Sequence, residues 1–203
     1  MGNYIFSNSW FDDLARQNWE ILFSHLKPKR ILEIGSYEGA SACYSIRSES
    51  CRELYCIDTW EGGTEHDPAL MNEVEVAFDY NIAVAMSSVN REIKVIKRKG
   101  VSSQLLPALL HEGHRGSFDF IYVDGSHQAP DVLMDAVFAF ELCSLGGVIA
   151  FDDYAWSEKT GADRDPIRSP KIAIDAFTNI FCRKITLLNS LPLTQLYVTK
   201  ISE

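Results

Sequence analysis

The chain has 203 residues, of which 46% are hydrophobic and 23% are charged. That is the size and composition of one globular domain, and it excludes collagen-like, coiled-coil and disordered chains. Acidic residues outnumber basic ones 28 to 19, giving a net charge of −9, and the basic residues cluster only at Lys97-Arg98-Lys99, so nucleic acid is a poor partner.

Leu14, Trp19, Leu22, Phe23 and Leu26 recur at helical spacing, which predicts a helix over 12–26 stopped by Pro28. An alternation of short apolar runs and helical segments follows. Arg30–Ile34 reads as a strand, a glycine-bearing turn follows it, and Gly39–Arg47 reads as a helix. Leu54–Ile57 is the next strand, with a turn at Glu61-Gly62-Gly63 and a helix from about Ala69 to Ser88. The strand Ile93–Ile96, the helix Ser103–Leu110 and the strand Phe118–Val123 continue the rhythm. A helix then runs from Pro130 to Cys143, and Gly146-Gly147 ends it and opens the strand Val148–Phe151. Asp152–Ser169 is a polar loop long enough to act as a lid. The helix Ile172–Phe181 precedes two paired strands, Ile185–Leu188 and Leu193–Val198, around Asn189-Ser190.

Seven strands alternating with helices predict a three-layer α/β domain with a mostly parallel sheet. The last connection is too short for a parallel crossover, so the last strand is expected to be antiparallel. We expect one domain over 1–203, with a helical leader at 1–29 and the core at 30–203. The five cysteines (Cys43, Cys51, Cys56, Cys143, Cys182) are an odd number without metal-type spacing, as expected of reduced intracellular thiols. No apolar stretch reaches 18 residues and no signal peptide is evident, so the expectation is a soluble cytoplasmic protein with no membrane partner.

Four strand ends carry polar groups. The first is Glu33-Ile34-Gly35-Ser36-Tyr37-Glu38-Gly39-Ala40-Ser41, in a strand–turn–helix context where ligands of open α/β sheets bind. Its spacing is not the G-x-G-x-x-G that bends around a pyrophosphate. A carboxylate there, Glu33, would repel a diphosphate and accept from an ammonium group. The second strand ends at Asp58, placed as an acid that binds the two hydroxyls of a ribose. The third and fourth ends are Asp124-Gly125-Ser126-His127 and Asp152-Asp153-Tyr154. On neighbouring strands these acids would lie about 5 Å apart, and three such carboxylates repel unless a proton or cation sits among them. Oxygen ligands favour Mg²⁺, with Ca²⁺ or Mn²⁺ as alternatives. The plainer reading makes Asp152-Asp153 a cap of the lid and Asp124 a contact of cofactor or solvent. His127 has a pKa near working pH and suits a general base, or a hydrogen-bonding neighbour of the cofactor. His25, His66, His111 and His114 read as surface residues.

With these motifs in view, the sequence resembles the class I S-adenosylmethionine-dependent methyltransferases from about Arg30 to Lys200. It is most similar to small-molecule O-methyltransferases of the catechol type and of the bacterial group acting on sugars and secondary metabolites. ILEIGSYEGASAC resembles their cofactor loop, CIDTW their ribose-binding strand end and KGVSSQLLPALL their adenine-side turn. FSNSWFDDLARQNWEILFSHL resembles the leader helix of uncharacterised bacterial members. The resemblance implies a Rossmann-like fold and S-adenosylmethionine held by Glu33, Gly35, Ser36, Gly39, Ser41, Asp58, Thr59, Trp60, Gly100, Ser102 and Asp124, with Ser102 against the adenine. It also implies a divalent cation on Asp124, Asp152 and Asp153. His127 stands where catechol-type relatives carry a lysine base, and with Asp124 it makes the catalytic pair.

The expected reaction is methyl transfer to a hydroxyl of a small molecule. The N/D-P-P-Y/F signature of amine methyltransferases on flat bases is missing. A nicotinamide-dependent oxidoreductase and a catalytically silent cofactor-binding module are the rivals. Trp10, the helix over 12–26, the lid and the region Thr64–Met71 are expected to close the acceptor pocket. The sequence leaves the oligomeric state open, a homo-oligomer included.

Overall fold

Strand β1 (Arg30–Ile34) lies at the centre of the sheet, hydrogen-bonded in parallel to β2 (Glu53–Asp58) and β4 (Phe118–Val123). The computed structural model describes residues 3–63, 68–189 and 194–203. β3 (Lys94–Lys99), β5 (Cys143–Phe151), β6 (Ile185–Leu187) and β7 (Leu196–Lys200) complete the order β3-β2-β1-β4-β5-β7-β6. Six strands run one way, and β7 is antiparallel to both its neighbours, as its short connection from β6 requires. The order in which strands are added reverses beside β1, which makes the carboxyl ends of β1 and β4 the switch point of the sheet.

Among the described residues three α-helices cover each face. α1 (Arg16–Leu26), α2 (Ala40–Arg47) and α3 (Pro68–Ser87) enclose one core with Trp19, Ile46, Phe78, Phe120 and Tyr122. α4 (Ser102–His111), α5 (Ala129–Leu142) and α6 (Lys171–Ile180) enclose the other, around Leu106, Ala136, Phe140, Phe151 and Phe177. The strands are continuous apolar runs because both faces are buried. Cys43, Cys51, Cys56 and Cys143 are buried and Cys182 is exposed. Among the described residues no helix is long and apolar enough to cross a membrane.

Several boundaries differ from the sequence pattern. Leu14 is half exposed, because the chain enters α1 through a wide π-helical turn (Phe11–Ala15) that shifts the phase, so the buried stripe is Ala15, Trp19, Leu22 and Phe23. β5 begins at Cys143 rather than Val148. Phe118 pairs with Cys143 and Phe120 with Val148, so residues 144–147 loop out as a bulge. Gly146 (φ 82°) turns that bulge, and a Cβ on Gly147 would lie 2.8 Å from Cys143 Sγ. The glycine pair shapes a strand and does not begin one. β3 runs on through Lys97-Arg98-Lys99 at the sheet edge, where Lys97 meets Glu75 at 2.8 Å and Asp79 at 2.7 Å. β7 starts and ends later than the expected Leu193–Val198, and Ser190 and Leu193 lie outside the described residues. His114 is half-buried, 3.3 Å from Arg30 Nη2 and against the Tyr55 and Phe118 rings, not a free surface group. His66 and residues 64–67 of the expected pocket wall lie outside the described residues.

Candidate functional site

A cavity of about 1020 Å³ opens over the carboxyl ends of β1, β2 and β4. Its first wall is the glycine loop. Gly35 (φ 85°) turns the chain off β1, and a Cβ there would lie 1.9 Å from the Asp124 carbonyl oxygen, so this position admits only glycine. Gly39 (φ 81°) opens α2, and a Cβ on it would meet the Phe78 ring at 3.0 Å.

The loop is fastened by its own acids. Asp58 Oδ2 accepts from the backbone N–H of Ser36 and of Tyr37, each at 2.8 Å, and Oδ1 accepts from Trp60 N at 2.7 Å. Glu33 was expected to face a ligand. Instead it is buried beneath the loop, accepting from Ser36 Oγ at 2.8 Å and from the Ser41 hydroxyl. Burial pushes its pKa from 4.5 to about 7. Trp60 is also turned away from the cavity: it is buried against Phe78, and its indole N–H donates to the Tyr37 carbonyl at 2.9 Å. Gly35, Ser36, Ser41, Asp58, Thr59, Gly100 and Ser102 all line the cavity.

The opposite wall is acidic. Asp124 follows β4, and Asp152-Asp153 follows β5 in the adjacent position. Asp153 sits in the left-handed region (φ 52°), which turns its carboxylate toward His127 Nε2 at 2.9 Å. The His127 ring lies against Trp156, with centroids 4.2 Å apart. One ligand atom from each of Asp124, His127 and Asp153 lies within 4.8 Å of the others, a spacing that suits a bound cation. Asp152 does not complete this set. Its Oδ2 accepts from the Tyr122 hydroxyl at 2.6 Å. Burial, then the charges of Asp152 and Asp153, hold Asp124 well above the usual carboxylate range. Burial and the Asp153 charge raise Asp152 as well, against the pull of Tyr122 and Gln195.

The sequence pattern missed three groups at this site. Asp135, on the buried face of α5, lines the cavity beside Ser102, has one oxygen without a partner, and is pushed by burial from 3.8 to about 7. Its helical spacing from Val132, Ala136 and Ala139 was the available signal. Tyr122 and Gln195 had none, since each lies in a segment read as strand or turn. The N-terminal residues Phe6, Trp10, Phe11 and Leu14 form the cavity's outer rim.

The sequence profile of a methyltransferase-domain family matches residues 32–154. The chain belongs to that family. The matched span holds the glycine loop, Asp58, Asp124, His127, Asp152 and Asp153 together. A caffeoyl-CoA O-methyltransferase of Eucalyptus globulus is 34% identical over 76 residues, which is 37% of this chain and 30% of that protein. The chain spans half or less of the length of the curated relatives it matches. An O-methyltransferase from Bacillus cereus, solved in complex with SAH, superposes with a TM-score of 0.62 at 19% identity, covering 97% of this chain and 93% of that one. MycE, a methyltransferase of mycinamycin biosynthesis solved with Mg and SAH, gives 0.59 at 15% identity over 92% of this chain and 48% of its own. These likenesses show a shared methyltransferase fold, and the family match goes against the nicotinamide-dependent alternative.

Proposed function

We propose that this methyltransferase-family chain moves a methyl group from S-adenosylmethionine to a hydroxyl of a small molecule, assisted by a divalent cation. The observation that carries the reading is the meeting of Asp124, His127 and Asp153 in the same cavity that the glycine loop lines. A Bacillus cereus relative carries SAH, the demethylated form of that donor, and MycE carries SAH with Mg.

Asp58 supports a ribose role. A carboxylate offers about four acceptor sites, and three are taken by loop N–H groups, which leaves one for a ribose hydroxyl. The Ser102 turn would flank the adenine. Methyl transfer is an in-line displacement at a sulfonium, so the protein's main work is to align two reactants and assist loss of the acceptor proton. Asp124 and Asp153 would hold the cation, which when bound polarises the acceptor oxygen. His127, held by Asp153 through its Nε2–H, would take the proton at its other ring nitrogen, Nδ1. The same spacing favours a second reading of His127, as the cation's third ligand, and the imidazole would then shift preference away from Mg²⁺ and Ca²⁺ toward a transition metal such as Fe²⁺ or Zn²⁺. Trp10, Phe11 and Leu14 would enclose the acceptor.

Chelation tests the reading. Excess EDTA should stop methyl transfer to a panel of phenolic and sugar hydroxyls, Mg²⁺ or Mn²⁺ should restore it, and SAH should bind throughout. Full turnover in chelator would remove the cation from the reaction.

A further inference from the structure

We propose that Trp19, Gln195 and Tyr122 form a one-way hydrogen-bond relay that sets the Asp152 carboxylate, so that helix α1 positions part of the acidic cluster. The geometry stands without a cation, and only the main readout below rests on the cation reading.

The relay starts from a group that only donates. The Trp19 indole N–H, in a side chain that is 1% exposed, gives its proton to Gln195 Oε1 at 3.2 Å, and the Tyr197 hydroxyl donates to the same oxygen. With its oxygen fixed by two donors, the Gln195 amide has one orientation. A flipped amide would set its NH₂ against the indole N–H, leaving two buried donors facing each other. Gln195 Nε2 therefore donates to the Tyr122 oxygen, at 3.1 Å. A phenol has one proton to give. Since Gln195 donates into its oxygen, Tyr122 directs that proton at Asp152 Oδ2, 2.6 Å away.

The chain of donors thus runs from α1, across the end of β7, to the strand end that follows β5. Gln195 is 1% and Tyr122 2% exposed, so bulk water does not substitute for a missing link. Trp19 is also clamped by rings, with Phe120 and Tyr122 centroids both at 4.8 Å, which holds the indole in register with Gln195. Asp152 is the acid of the three held from behind by both Tyr122 and Gln195, and Tyr122 also faces Asp124, which converges with Asp153 on His127. Partners of this kind orient the groups around a bound ion and tune its affinity. Tyr122 and Gln195 are positioning residues.

A double-mutant cycle on the full chain tests this, with Mn²⁺ binding followed by electron paramagnetic resonance in the presence of SAH. Tyr122→Phe should weaken Mn²⁺ binding about 10–100-fold, and Gln195→Met should weaken it less. The loss in the pair should fall well short of the product of the two single losses, because Gln195 acts on Asp152 through the phenol as well as by its own contact with that carboxylate. SAH affinity should not change. Losses that multiply in the pair, or wild-type Mn²⁺ affinity in Tyr122→Phe, would overturn the relay, and that variant deletes one oxygen from a packed ring, so it remains usable if Gln195→Met does not fold. If the wild-type chain binds no Mn²⁺, the cation reading fails by itself. The relay is then read from the Trp19 indole resonance in a ¹H–¹⁵N spectrum: Asp152→Ala should move it while Trp60 stays in place, and an unmoved Trp19 signal overturns the proposal.

Discussion

At the carboxyl ends of β1 and β2 each acid finds its donors in the loop it supports, whereas at the ends of β4 and β5 the acids face one another. Glu33 takes two hydroxyls, and Asp58 takes three backbone N–H groups. Asp124, Asp152 and Asp153 share the Tyr122 and Gln195 donors and His127, and the charges of Asp152 and Asp153 raise the Asp124 pKa while the Asp153 charge raises that of Asp152. Ligand is needed where the protein leaves charge unmatched. The first region is satisfied by the chain itself and serves as a rigid cradle. The second holds more negative charge than its protein partners offset, which is the condition that draws in a cation or a proton.

The largest expected effect breaks both regions at once. Gly35→Ala drives a methyl group into the Asp124 carbonyl and forces alanine into the left-handed region, so it should destabilise by about 3 kcal/mol or more in denaturant unfolding. Wild-type stability in that variant would mean the two strand ends do not depend on close contact. His127→Ala sharpens the second region. As the base, it should lower kcat by about 10²–10⁴-fold with Mn²⁺ affinity intact, while a parallel loss of Mn²⁺ binding would make it a ligand. Asp58→Ala addresses the first region. It should weaken SAH binding in calorimetry by about 1–3 kcal/mol, because three loop N–H groups lose their acceptor, and leave Mn²⁺ binding alone.

The smallest effect is on stability against pH. Burial raises Glu33 from 4.5 to about 7. Between those values the folded chain binds more protons than the unfolded one, so stability falls as pH rises through that window and is regained on acidification. Moving from pH 8 to 5.5 should recover at most about 2 kcal/mol from Glu33, or roughly 2–4 °C in Tm for each kcal/mol. Glu33→Gln should flatten that part of the melting profile, and an unchanged slope would show that Glu33 is not the group responsible.

Strand and helix rhythm was legible because both sheet faces are buried, so each strand announces itself as an apolar run. The strand-end motifs were legible because a parallel sheet gathers all its carboxyl ends on one edge, so Gly35, Asp58, Asp124 and Asp153 had to share a site. The direction of each side chain was not legible. Glu33 and Asp58 look alike in sequence, yet one turns under the loop and the other stays at the cavity wall. Asp152 and Asp153 are adjacent, yet a left-handed backbone sends the second to His127 while Tyr122 claims the first. Gln195 and Trp19 stand 176 positions apart and carry no local signal. The layers, the order of motifs and the edge of the sheet that holds them follow from the order of residues alone, since periodicity and spacing are properties of the chain. Which acids are satisfied and which are left facing one another depends on the folded arrangement, since hydrogen-bond partners are chosen by packing across distant segments.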